Sequence, residues 1–80
     1  MSDDSAAHAQ RRELIELLGR QRDAAGRELT CGVYLTPTGY EVRAEFTGGE
    51  ALRTQWAMDT QGARIIANRW VEELGLDRVT

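Results

Sequence analysis

Few residues in this 80-residue chain have the type and spacing to do chemistry. His8 is the single histidine and Cys31 the single cysteine. A nucleophile–base arrangement needs a serine or cysteine beside a histidine that a third group orients. Here the one imidazole stands near the N-terminus, 23 positions from the one thiol. One cysteine also excludes an internal disulfide and a cysteine-based zinc site. Asp3-Asp4 and Glu72-Glu73 are paired acids. Adjacent residues on a helix do not face each other, so neither pair makes an acid–base dyad or a metal clamp. Gly48-Gly49 lacks the following Lys-Ser/Thr of a phosphate-cradling loop and reads as a turn. The expectation is a non-enzymatic protein with no catalytic residue, no cofactor and no metal.

The remaining chemistry is that of surfaces. Tyr34, Glu41, Arg43, Glu45, Arg53 and Gln55 stand at alternating positions in three consecutive apolar/polar segments. That spacing places them together on one face of a sheet, with Gly32 leaving room for Arg43. Tyrosine and arginine are favoured anchors at protein interfaces, so this mixed-charge face is the candidate interaction surface. The expected partner is another protein or a second copy of the chain. A third segment with neither proline nor lysine also leaves a strand edge open to pairing between copies.

The elements that would position these residues follow from periodicity. Leu29, Cys31, Val33 and Leu35 alternate with Thr30, Gly32 and Tyr34. After the turn Thr36-Pro37-Thr38-Gly39, Tyr40, Val42, Ala44 and Phe46 alternate with Glu41, Arg43 and Glu45. After Gly48-Gly49, Leu52, Thr54, Trp56 and Met58 alternate with Arg53, Gln55 and Ala57. The three segments form an antiparallel meander. Matching faces pairs Leu35 with Tyr40, Val33 with Val42, Cys31 with Ala44 and Leu29 with Phe46. A three-residue bulged loop, Gly48-Gly49-Glu50, then pairs Phe46 with Leu52, Glu45 with Arg53 and Arg43 with Gln55, and turns Trp56 inward.

Two helices are expected to flank the meander. Ala63, Ile66, Ala67, Trp70, Val71 and Leu74 make one helical stripe within Asp59–Leu76. Asp59 or Thr60 caps its start, Gly75 ends it, and Leu76 folds back on the last turn. The segment Ala6–Ala25 holds good helix formers around Leu14, Ile15, Leu17 and Leu18, although Gly19 costs a helix about 1 kcal/mol against alanine. The fold class is α+β: an α-β-β-β-α order, with a three-stranded meander and both helices packed on one face. Residues 1–7 read as a polar, disordered tail and 8–80 as a single α+β domain.

That order resembles the double-stranded RNA-binding domain over residues 12–75. In that family, a lysine-rich stretch at the start of the second helix holds phosphates. The matching stretch here is Thr60-Gln61-Gly62-Ala63-Arg64, in which Ala63 and Arg64 echo the pattern and the lysine pair is absent. The resemblance implies an alternative function, nucleic-acid binding with Arg64 and Arg69 as the phosphate contacts. Locally, Gly39-Tyr-Glu-Val-Arg43, Leu52-Arg-Thr-Gln55 and Ala63-Arg64 with Ala67 and Trp70 also look like short uncharacterised bacterial proteins, a likeness that implies no function.

Composition sets the outer bounds. At 41% hydrophobic and 29% charged, the chain is ordinary globular material. A net charge of −3 opposes general nucleic-acid binding, which needs an excess of cations; all ten basic residues are arginine, which prefers planar, bidentate partners. No apolar run approaches the ~20 residues of a bilayer span. The acidic N-terminus lacks the apolar core of a secretion signal. The expected compartment is the cytoplasm.

Overall fold

The computed structural model describes residues 12–79. Five strands, β1 (Glu13–Arg22), β2 (Glu28–Thr36), β3 (Gly39–Phe46), β4 (Ala51–Ala57) and β5 (Asp77–Arg78), form one antiparallel sheet in the order β4-β3-β2-β1-β5. A single helix, α1 (Thr60–Glu73), packs on one face. It leaves the β4 edge, crosses the sheet and delivers the chain to β5 at the far edge. The class is α+β, but the α-β-β-β-α order with two helices and three strands is overturned: the described residues hold one helix and five strands.

The first expected helix accounts for most of that difference. Residues 13–22 are strand, while the earlier part of that segment, with His8, Asp3 and Asp4, lies outside the described residues. The Leu14-Ile15 and Leu17-Leu18 pairs suggested a helical stripe. In β1 the same doublets sit at register shifts between Leu14 and Glu16 and between Leu17 and Gly19. Each bulge adds a residue to one strand of a pair and re-aims the side chains beyond it. Leu14 pairs with Tyr34 on the sheet's outer face, and Leu18 packs against the core. The hairpin to β2 turns on Asp23. Its Oδ1 accepts from the backbone N–H of Ala25 (2.9 Å) and of Arg27 (2.8 Å). These bonds, Arg27's above all, hold the Asp23 carboxyl below its ordinary pKa.

Between β2 and β3 the register is the expected one, from Leu35↔Tyr40 to Leu29↔Phe46. Between β3 and β4 it is one residue out. Tyr40 pairs with Ala57, Glu41 with Trp56, Arg43 with Thr54 and Ala44 with Arg53. The loop has the expected three residues but is Thr47-Gly48-Gly49: the Phe46 N–H donates to the Glu50 carbonyl (2.9 Å) and the Gly49 N–H to the Phe46 carbonyl (2.9 Å). Gly48 and Gly49 both adopt positive φ (106° and 96°) inside it. A shift between Ala44 and Glu45 then leaves Leu52 as the extra residue. Since side chains alternate, a slip of one exchanges the two faces of β4. Trp56 is 57% exposed, so it does not fill the core as expected.

The core lies between the sheet and α1: Cys31, Val33, Val42 and Ala44 against Ala63, Ala67, Trp70 and Val71, closed by Leu76. The helical stripe is the expected one, with Ile66 and Leu74 half-buried at its margins. Asp59 Oδ1 accepts from the Gly62 N–H at 2.7 Å and caps the start. At the other end the Leu76 N–H reaches the Val71 carbonyl (2.9 Å) and the Gly75 N–H the Glu72 carbonyl (3.2 Å), with Gly75 at φ 67°. That is a Schellman closure, which aims the chain into β5. Gly19 lets α1 approach β1: a Cβ there would stand 2.8 Å from Val71 Cγ2 and 3.2 Å from Leu76 Cβ.

Candidate functional site

The face of the sheet opposite α1 carries the most organised polar chemistry in the structure. Strand pairing lines up one row across four strands, Leu14–Tyr34–Glu41–Trp56, and beside it Leu17–Gly32–Arg43–Thr54. At about 4.8 Å per strand, each row spans roughly 14 Å. In the centre stand two guanidiniums and two carboxylates. Arg43 Nη1 donates to Glu41 Oε1 (3.4 Å), and Arg43 Nη2 and Nε donate to Glu45 Oε2 (3.2 and 3.4 Å). Arg12 Nε donates to Glu41 Oε1 (3.2 Å), and the Tyr34 hydroxyl donates to Glu45 Oε1 (2.9 Å).

The cluster is closed on itself. Glu41 is 7% exposed and Arg43 8%, although no element covers this face among the described residues. Neighbouring side chains wall it off. Gly32 has no Cβ, and Leu14 Cδ1 lies 3.0 Å from where one would stand, so the leucine leans over the glycine. No buried side-chain polar atom lacks a partner among the described residues. Burial, reinforced by the bond to Glu45, pushes the Tyr34 hydroxyl up to about 12, so it remains a donor at neutral pH. Two positive and two negative charges balance, leaving a rigid, nearly neutral centre flanked by exposed Leu14 on one side and exposed Trp56 on the other.

Of the six residues expected on this surface, Tyr34, Glu41, Arg43 and Glu45 are together. Arg53 and Gln55 are not: the one-residue slip puts both on the helix face. There Arg53 Nη1 donates to Glu73 Oε1 (2.5 Å), and its Cζ sits 5.5 Å from the Trp70 ring centroid. Arg12, Leu14 and Trp56 complete the site and were missed, Leu14 because β1 read as helix and Trp56 because β4 read with its faces reversed.

The alternative contacts on α1 are arranged differently. Arg64 Nε donates to Glu16 Oε1 at 2.6 Å, and Arg69 is exposed. Five residues of α-helix turn through roughly 140° beyond a full turn, so the two arginines do not share a face. The capping Asp59 carboxylate occupies the helix start, where a phosphate would sit in the resembling family.

Cys31 is fully buried, its Sγ 3.7 Å from the Ala67 carbonyl, and burial pushes the thiol up to about 11. That makes it a small core residue rather than a ready nucleophile. No group of three or more His, Cys, Asp or Glu side chains converges among the described residues. None of the described helices is long and apolar enough to cross a membrane. No protein-family model matches the chain, and comparison with curated proteins and with solved structures returns no match.

Proposed function

We propose that the protein is a small non-enzymatic interaction domain that binds another protein chain through the outer face of its sheet and the adjoining β4 edge. The observation that carries this reading is the cross-strand row Leu14–Tyr34–Glu41–Trp56. It sets two exposed apolar side chains about a charge cluster that has already satisfied itself. Polar groups paired within one chain present a rigid surface and lose little on being covered, whereas exposed tryptophan is the side chain most often found to dominate interface energy. Nucleic-acid binding through Arg64 and Arg69 draws no comparable support, since one of the pair is engaged by Glu16 and the net charge is negative.

The test is affinity capture from native cell extract with wild type, Trp56→Asp and Ile65→Asp. Ile65 is an equally exposed apolar residue on α1 and serves as the control. Loss of captured protein with Trp56→Asp and retention with Ile65→Asp is the expected result. Equal recovery with all three forms contradicts the reading.

A further inference from the structure

We draw no further inference here: the strongest candidate, the outer edge of β4 beside the exposed Trp56, belongs to the surface already described, and nothing in the structure shows what covers it.

Discussion

Arg53 and Trp56, three positions apart on β4, face opposite sides of the sheet, and each stands where the other was expected. Arg53 lies over the Trp70 ring and pairs with Glu73 of α1, while Trp56 is exposed beside Glu41. The guanidinium lies over a core aromatic and pairs its charge with Glu73 at the margin. With Arg53 so placed, the opposite face of the edge strand becomes its apolar side. The surface available for binding is set by that one-residue register.

Gly19 gives the sharpest check on β1. Were residues 13–22 helical, Gly19→Ala would stabilise the chain by about 1 kcal/mol. In the strand, the added Cβ meets Val71 Cγ2 at 2.8 Å and presses on Leu76, with the Asp77 carbonyl at 3.2 Å. Overpacking of this kind costs about 1–3 kcal/mol. Urea unfolding of Gly19→Ala should therefore show a lowered midpoint; a raised one contradicts the strand.

Arg43 holds the outer-face cluster together. Replacing it with methionine leaves Glu41 and Glu45 without the cation between them in a nearly buried site, and removing one partner of a buried pair costs about 3–5 kcal/mol. Arg12 still compensates Glu41, so the lower end of that range is expected. Tyr34→Phe loses one bond to a carboxylate and should cost about 1.5–3 kcal/mol. Thermal melts of the two variants test the order, and a Tyr34→Phe loss greater than that of Arg43→Met would place the centre of the cluster wrongly.

Stability should fall at alkaline pH. The Cys31 thiol is pushed from 9.0 to about 11 and the Tyr34 hydroxyl from 10.0 to about 12, both chiefly by burial. The folded chain thus holds these protons to higher pH than the unfolded chain does. Their contribution is intact below pH 9 and is lost as pH rises through about 11 and 12. Urea midpoints taken across that window should decline, and Tyr34→Phe should flatten the upper part of the decline. A midpoint that rises or stays level contradicts the assignment.

How far the sequence was legible depended on how many patterns each segment could satisfy. The stripe Ala63–Leu74 and the Gly75–Leu76 closure admit one reading, and the structure has it; of the two expected caps, Asp59 and Thr60, it uses Asp59. The β2–β3 register was legible because a short proline–glycine turn and two clean alternations fix it together. β1 was not. Leu14-Ile15 and Leu17-Leu18 satisfy a helical period, and a strand reaches the same arrangement only through two bulges, which local pattern does not announce. β4 failed by a single bulged residue, Leu52, because Thr54 and Trp56 alternate as well outward as inward. Four of the six expected surface residues lie on segments whose register was legible; Arg53 and Gln55 lie on the one that slipped.

The most direct test of the binding surface uses the two tryptophans, one exposed on the outer face and one buried under α1. Protein labelled with 5-fluorotryptophan gives two fluorine resonances, assigned by Trp56→Phe, and these are recorded in buffer and in native cell extract. The Trp56 resonance should shift in extract while that of Trp70 stays in place. A Trp56 resonance unchanged between buffer and extract, at protein concentrations where neither copies nor partners are limiting, would contradict the account.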